Sequence, residues 1–277
     1  MSIADRFKNG ITRRGFVLGG AATGAAAVLA GCSKKTGTSD DAAGEPQVIK
    51  DDSKIVSITD EYEAVDIDLE PAASWTLPLG TLLYYCDGVY AAAMMAPASA
   101  LHANTLGVLN LGDGSLTTLI EDPIEGTGYA FYDVRAGDGV FAWVEMNFAN
   151  ASWKLYAQNL AGSSLTGNAV ELDRGGENYD PPLFTAYGSS VIWYKMPSSG
   201  GTKTSNDSYC YRQSPSESKP ETIWKSTGRF ASAPRVSDGI LTISPRVHND
   251  EGVYYGMTAI DLTDGNNTKR AQLVLPS

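Results

Sequence analysis

Short runs of apolar and β-branched residues alternate with glycine-containing turns along the chain from about residue 81 onward. After four of these turns the next run begins with an apolar residue, namely Val89, Val140, Val191 and Ile240. These residues are 51, 51 and 49 positions apart, a spacing that four unrelated hairpins would not keep. Asp-Gly favours a two-residue hairpin turn, because Gly accepts a positive φ and Asp tolerates one. The pattern therefore predicts an internal repeat of about fifty residues.

Each repeat contains four strand-like runs. The runs before the turns span residues 81–85, 130–134, 183–187 and 233–236. The third runs span 105–111, 154–160, 208–212 and 257–262, and the fourth span 116–120, 169–172, 221–224 and 271–275. Tandem four-stranded units of this length are typical of a β-propeller, in which each blade buries both faces against its neighbours. We expect an all-β propeller of about four blades, with an all-β sandwich as the alternative.

The repeat resembles the TolB-type propeller repeat, which has a Gly-rich turn, then V-x-W, then L-Y-x-x-N-L. The second to fourth units carry this pattern best, and the first departs from it at 91–95. Propellers of this type usually have more than four blades. The chain is thus either a small ring, closed by pairing of the strand-like segment 54–58 with the last blade, or a fragment of a larger propeller.

The N-terminal residues have the layout of a signal peptide, with a basic start and a short apolar run at 15–30. Arg13 and Arg14, followed by Phe16, resemble the twin-arginine export motif. Leu29-Ala30-Gly31-Cys32 resembles the bacterial lipobox, in which a peptidase cuts before Cys and the thiol is acylated. These resemblances imply export through the twin-arginine translocase and a lipid on Cys32 that anchors the protein to the membrane. An amphipathic N-terminal helix with a buried Cys is the alternative.

Composition divides the chain into three parts: a signal peptide at 1–31, a polar flexible tether at 32–50 and a propeller-like domain at 51–277. The whole chain has a net charge of −11, and residues 1–31 carry +3, so the remaining chain carries −14. This charge argues against nucleic-acid binding and against electrostatic adhesion to anionic lipid. The lipid must therefore provide the anchoring, and the domain is expected to be extracytoplasmic.

The domain carries few residues that are suited to catalysis. It has two histidines, His102 and His248, both expected in loops between second and third strands, and no H-E-x-x-H, G-x-S-x-G, G-x-G-x-x-G or C-x-x-C motif. We therefore predict no catalytic residue, metal site or cofactor. Cys86 and Cys210 lie at different positions of non-adjacent repeats, which favours two buried thiols over a disulfide.

Aromatic and charged residues in the loops offer a binding surface. Trp143 and Trp193 occupy equivalent repeat positions, which favours packing between blades over a sugar-binding platform. The loops that enter the innermost strands bring Glu125 and other polar residues toward the ring axis, and the longest loop spans 195–207. The predicted binding residues are Tyr129, Glu177, Tyr179, Asp180, Lys195, Lys203, Arg229 and Phe230. Plain solvated connections are the alternative for each of them.

Three functions fit these features. The first is a lipid-anchored binding module that recruits a protein or peptide at the cell envelope, which needs only the tether, a rigid ring and variable loops. The second is an envelope glycan lyase or hydrolase, with two acidic side chains at the mouth of the channel. The third is a structural protein of the envelope.

Overall fold

The computed structural model describes residues 70–97, 99, 102–200, 206–249 and 252–275. Within these residues the chain forms strands and no helix. Sheet 1 contains β1 (Leu82–Tyr85), β2 (Tyr90–Met95), β3 (Thr105–Asn110) and β4 (Leu116–Ile120). Sheet 2 contains β5 (Ala130–Ala136), β6 (Val140–Asn147), β7 (Ser152–Ala161) and β8 (Ser164–Gly175). Sheet 3 contains β9 (Phe184–Tyr187), β10 (Ser190–Lys195), β11 (Ser208–Gln213) and β12 (Glu221–Ser226).

Sheet 4 has one strand more than the other three. It contains β13 (Arg235–Ser237), β14 (Ile240–Ile243), β15 (Arg246–Asn249), β16 (Gly252–Asp261) and β17 (Thr268–Leu275). Strand β15 pairs with the first half of β16, where the sequence led us to expect a loop. The backbone of His248 therefore lies in a strand, which corrects that expectation, whereas His102 lies between β2 and β3 as expected.

The four sheets form a β-propeller. All strand pairs are antiparallel, and sheets 1 to 3 follow chain order from the first strand to the fourth. The first strand of each sheet contacts the first strand of the next, so that the sheets fan out from a shared inner edge. Three buried clusters fill the spaces between consecutive sheets. A sandwich would instead bury a single core between two sheets, so the predicted propeller is confirmed.

The second strands reveal the true period of the repeat. Four residues of these strands are spaced by fifty positions and are all buried: Ala93, Trp143, Trp193 and Ile243. Trp143 packs between sheets 1 and 2, and Trp193 packs between sheets 2 and 3. Both tryptophans thus lie between blades, as predicted. The second strands begin at residues 90, 140, 190 and 240, whereas the first apolar residue lies one position before the strand at Val89 and one position into it at Val191. The spacing measured at these apolar residues therefore departs from fifty.

The loops between first and second strands have four, three, two and two residues in sheets 1 to 4. Only sheet 4 has the predicted two-residue Asp-Gly turn, in which Asp238 has φ 51° and Gly239 has φ 76°. In sheet 2, Asp138 instead accepts a hydrogen bond from the Val89 amide at 3.2 Å. The same dipeptide therefore closes a hairpin in one sheet and links two sheets in another.

The two cysteines of the domain are free thiols, as predicted. Cys210 is buried between sheets 3 and 4, and burial raises the pKa of its thiol. Cys86 is half-buried. The residues of the export motif, Cys32, Lys203 and the segment 54–58 lie outside the described residues.

Candidate functional site

A buried carboxylate occupies the space between sheets 1 and 2, two residues after Trp143 on β6. Glu145 is 0% exposed. Its Oε1 accepts hydrogen bonds from Trp143 Nε1 at 2.9 Å and from the Ile124 amide at 2.8 Å, and its Oε2 accepts one from the Glu125 amide at 2.9 Å. The loop that precedes β5 therefore lies directly over Glu145 and fills this end of the interface.

The side chain of Glu125 is also held within the protein. It accepts a hydrogen bond from Tyr156 Oη at 2.5 Å and forms an ion pair with Lys154 Nζ at 2.8 Å. The bond from Lys154, followed by that from Tyr156, lowers the pKa of Glu125. This carboxylate, which the sequence led us to expect near the ring axis, is therefore part of the packing between sheets 1 and 2.

Fifty positions after Glu145, the equivalent place on β10 carries Lys195. Its Nζ donates to Asp173 Oδ1 at 2.6 Å and to the carbonyl oxygen of Arg174. Asp173 also accepts from Trp193 Nε1 at 3.0 Å. The ammonium lies 4.7 Å from the ring centre of Trp153 and 4.9 Å from that of Tyr179, within cation–π range.

A cavity opens beside Lys195, and it is lined by sheet 3 and the loops attached to it. The loop before β9 repeats a turn of the loop before β5, since the Tyr179 amide donates to Gly176 O at 2.9 Å as the Tyr129 amide donates to Gly126 O at 3.2 Å. The Asp180 amide donates to Met196 O at 3.2 Å. The cavity has a volume of about 630 Å³. We call this cavity the Lys195 pocket; its lining residues are Tyr179, Lys195, Asn206, Asp207, Tyr209 and Tyr211.

One wall of the Lys195 pocket is formed by a stacked pair of tyrosine rings. Tyr209 and Tyr211 alternate on β11, and their rings are 5.7 Å apart with an interplanar angle of 9°. Tyr211 also contacts Trp193, with ring centres 5.6 Å apart. Burial, followed by the nearby Tyr209 and Asp173, raises the pKa of the Tyr211 hydroxyl. That hydroxyl therefore stays protonated and can donate a hydrogen bond at neutral pH.

Contacts among three loops hold the wall of the pocket that Tyr179 forms. Arg229 Nη2 forms an ion pair with Asp180 Oδ2 at 2.7 Å, and Arg229 Nη1 donates to the carbonyl oxygen of Pro197. Trp153 Nε1 donates to the carbonyl oxygen of Tyr179 at 2.8 Å. Tyr179 also pairs with Pro197 through an isolated β-bridge. The pocket is thus preorganised by contacts that do not involve a ligand.

The structure brings four of the predicted binding residues together. Tyr179 and Lys195 line the pocket, and Asp180 and Arg229 support it. Glu177 is exposed in the same loop as Tyr179. Tyr129 lies at sheet 2, where its hydroxyl shares a hydrogen bond of 2.9 Å with Ser152 Oγ.

The prediction that Phe230 is a binding residue is wrong. It is 5% exposed and stacks on Tyr194, with ring centres 3.9 Å apart and an interplanar angle of 5°. Its ring belongs to the core between sheets 3 and 4, because a large apolar side chain next to a first strand packs between blades. It is therefore not available to a ligand.

Tyr209, Tyr211 and Asp207 are pocket residues that were not predicted as binding residues. The order Tyr209-Cys210-Tyr211 could have indicated them, because residues two apart on a strand share a face. Cys210 is buried in the core, so Tyr209 and Tyr211 lie on the opposite face of β11, beside Lys195.

Neither a metal cluster nor a membrane helix occurs among the residues that the structure describes. In this part of the chain no group of three or more His, Cys, Asp and Glu side chains is placed to hold a metal ion. The same residues form no helix with the length and hydropathy that crossing a bilayer requires.

Comparisons with known proteins support the fold only. No protein-family model and no curated protein matches the sequence. Among solved structures, the chain is similar to a prolyl endopeptidase (12% identity, TM-score 0.44, 68% of this chain and 26% of that one). It is also similar to the β-propeller domain of the Trilobed protease from Pyrococcus furiosus (10%, 0.42, 69% and 57%) and to a Trypanosoma rangeli sialidase (11%, 0.37, 70% and 37%). The matches thus span less than two thirds of each of these proteins, and TM-scores below 0.5 carry no argument about activity.

Proposed function

We propose that the protein is a lipid-anchored, extracytoplasmic β-propeller module that recruits a protein or peptide partner at the cell envelope through the Lys195 pocket. The observation that carries this proposal is the difference between two equivalent positions. The chain buries Glu145 completely under its own loop, whereas Lys195, which bonds to the chain's own Asp173 and Arg174, also lines an open cavity together with three tyrosines. A preformed cavity with a few convergent polar groups is typical of a binding site.

The carboxylates around the pocket favour binding over catalysis. A glycan hydrolase requires one carboxyl group with a raised pKa near a second carboxylate. Here Asp173 is paired with Lys195, Asp207 with Lys225 at 2.7 Å, and Asp180 with Arg229. Each of these carboxylates is held in an ion pair with its own cation, so the residues suit the fixed walls of a binding site.

The anchoring and export parts of the proposal rest on the N-terminal sequence. Arg13, Arg14 and Phe16 support passage through the twin-arginine translocase, and Cys32 supports lipid attachment. We expect Arg13→Lys combined with Arg14→Lys to retain the protein in the cytoplasm, and Cys32→Ser to yield an exported protein without lipid. Cell fractionation and mass spectrometry of the mature N-terminus test both points. Detection of an uncleaved, unmodified leader in the exported wild-type protein would contradict the proposal.

The binding role is tested by photo-crosslinking in living cells. A photoreactive amino acid at Asn206, on the wall of the pocket, should form a discrete adduct with an envelope protein. Tyr211→Ala should abolish this adduct, because it removes one of the two stacked tyrosine rings on the wall of the pocket. Tyr132→Ala is the matched control, since Tyr132 is exposed on sheet 2 and does not line the pocket. An unchanged adduct in the Tyr211→Ala variant, or turnover of an envelope glycan that depends on Tyr211, would contradict the proposal.

A further inference from the structure

We infer that the Lys195 pocket binds a glutamine side chain of the partner, with the amide oxygen of that glutamine on the hydroxyl group of Tyr211. This inference rests on the proposed function and specifies the chemistry of the ligand. It is carried by the equivalence of sheets 2 and 3, because the chain's own Glu125 lies beside Tyr156 of sheet 2 in the place that is open beside Tyr211 of sheet 3.

The walls of the Lys195 pocket have counterparts in sheet 2, which the cross-strand register and the repeated turn identify. The counterparts of Tyr179, Lys195, Tyr209 and Tyr211 are, in that order, Tyr129, Glu145, Lys154 and Tyr156. The turn before β9 repeats the turn before β5, so Gly175 is the counterpart of Glu125. Sheet 2 therefore shows how the same set of positions looks when a side chain of the chain itself fills it.

The hydroxyl group of Tyr156 has an acceptor within the chain, whereas that of Tyr211 makes no hydrogen bond to the residues that the structure describes. Tyr156 Oη donates to Glu125 Oε1 at 2.5 Å. Residue 175 cannot supply the equivalent acceptor, because a Cβ on Gly175 would lie 2.4 Å from Trp153 Cζ2. The acceptor that Tyr211 lacks is therefore one that a partner can supply.

The residue next to this hydroxyl group determines the charge of the ligand. The carboxylate of Glu125 forms an ion pair with Lys154 at 2.8 Å, but the counterpart of Lys154 is the neutral Tyr209. Lys195 already has an ion pair of its own, and Asp207 contributes a carboxylate to the lining. A bound carboxylate would therefore lie near Asp207 without a cation of its own, which is unfavourable in a partly desolvated site.

Glutamine fits these requirements because it has the length and planar end of glutamate without the charge. Its oxygen can accept from Tyr211 as Glu125 accepts from Tyr156. Its amide group also carries two N–H donors, and Asn206 and Asp207 place oxygen acceptors in the lining. A glutamate lacks these donors, and an apolar side chain would leave the tyrosine hydroxyl group without an acceptor.

Ligand-observed NMR titration of the full-length chain carrying Cys32→Ser tests the inference. The probes are an eight-residue Gly-Ser peptide with one central Gln, the same peptide with Glu or Ala at that position, and an N-acetylglucosamine tetramer. We expect the Gln peptide to bind at least about fivefold more tightly than the other three probes. Tyr211→Phe, which removes only the hydroxyl group, should weaken its binding about fivefold.

An exchange of Tyr209 for its counterpart in sheet 2 is a stricter test. Tyr209→Lys supplies the cation that Lys154 gives to Glu125, so this variant should bind the Glu peptide at least about fivefold more tightly than the Gln peptide. Tyr132→Lys, at an exposed tyrosine outside the pocket, is the matched control and should keep the preference for Gln. If Tyr209→Lys fails to fold, as judged by circular dichroism, Tyr209→Arg replaces it, since it adds the same charge.

The possible outcomes separate this inference from the proposed function. Equal binding of the Gln and Ala peptides, tighter binding of the Glu peptide or of the sugar to the unaltered pocket, no binding of any probe, or an unchanged preference in Tyr209→Lys would overturn the inference. A crosslinked partner that depends on Tyr211 would still support the proposed function in each of these cases.

Discussion

At the scale of single residues, Glu145 shows how a buried charge is tolerated in this fold. Three N–H donors surround its carboxylate, and two of them belong to the backbone of the loop before β5. A buried charge without such partners would cost several kcal/mol. The carboxylate therefore determines where the loop lies, although the sequence alone presents it as an ordinary polar residue on a strand.

Glu145→Gln tests this role. The amide group of Gln places an N–H₂ where a carboxylate oxygen accepts a backbone N–H, so at least one buried donor loses its partner. We expect the free energy of unfolding, measured by urea denaturation, to fall by about 2–4 kcal/mol. The same substitution at the exposed Glu177 should change it by less than about 0.5 kcal/mol. Equal effects at both sites would show that the buried carboxylate does not anchor the loop.

At the scale of elements, hairpin geometry depends on a few turn residues. The β13–β14 turn needs positive φ at both central positions. A Cβ on Gly239 would also lie 2.3 Å from Thr263 Cγ2 and 3.0 Å from Tyr187 Oη, a residue of sheet 3. This turn therefore both closes a hairpin and approaches the neighbouring blade.

Gly239→Ala should lower the free energy of unfolding by more than about 1 kcal/mol, because it combines an unfavourable φ with a close contact. Gly176→Ala is the matched control, since Gly176 lacks a positive φ and a Cβ there meets no atom within 4 Å. In the same denaturation experiment, Gly176→Ala should leave the free energy of unfolding unchanged or raise it slightly. A neutral result for Gly239→Ala would mean that the turn adopts another conformation.

The β16–β17 hairpin should respond to acid. Asp261 accepts hydrogen bonds from Thr263 Oγ1 at 2.6 Å and from Arg270 Nη2 at 2.6 Å, and these bonds lower its pKa to about 2. A lowered pKa stabilises the folded state above the ordinary value of 3.8, and this contribution disappears as the pH falls toward 2. Wild type should therefore exceed Asp261→Asn in stability at pH 6, and the difference should vanish near pH 2. A difference that is independent of pH would contradict this assignment.

At the scale of the whole molecule, the interfaces between blades were predictable and the pocket was not. Periodicity identified four sheets and placed Trp143 and Trp193 between them, because the strand patterns are local and the two tryptophans recur at a fixed interval. The Lys195 pocket is lined by three separate segments, around Tyr179, Lys195 and 206–211, and a single sequence does not encode directly how these segments meet. The position of Phe230 was missed for the same reason, since its partner Tyr194 is 36 positions away.

The packing between blades should dominate the stability of the molecule. Trp143 is fully buried between sheets 1 and 2 and stacks on Tyr156, with ring centres 5.7 Å apart. Trp143→Ala should lower the free energy of unfolding by about 3–5 kcal/mol, since it leaves a large cavity and removes a donor to Glu145. Trp75→Ala, at a tryptophan that is 37% exposed, should lower the free energy of unfolding by less than half as much. Comparable losses in urea denaturation would contradict the assignment of Trp143 to the core.

The contrast between Glu145 and Lys195 also bears on how such a module acquires a ligand. In the genetic code, glutamate and lysine codons differ by their first base, so one point mutation in one copy of a duplicated unit exchanges an acceptor for a donor. The backbone beside that position would then have to offer a C=O in place of an N–H, as Arg174 does beside Lys195. A tandem array can therefore reverse the hydrogen-bond polarity of one interface without rebuilding its scaffold.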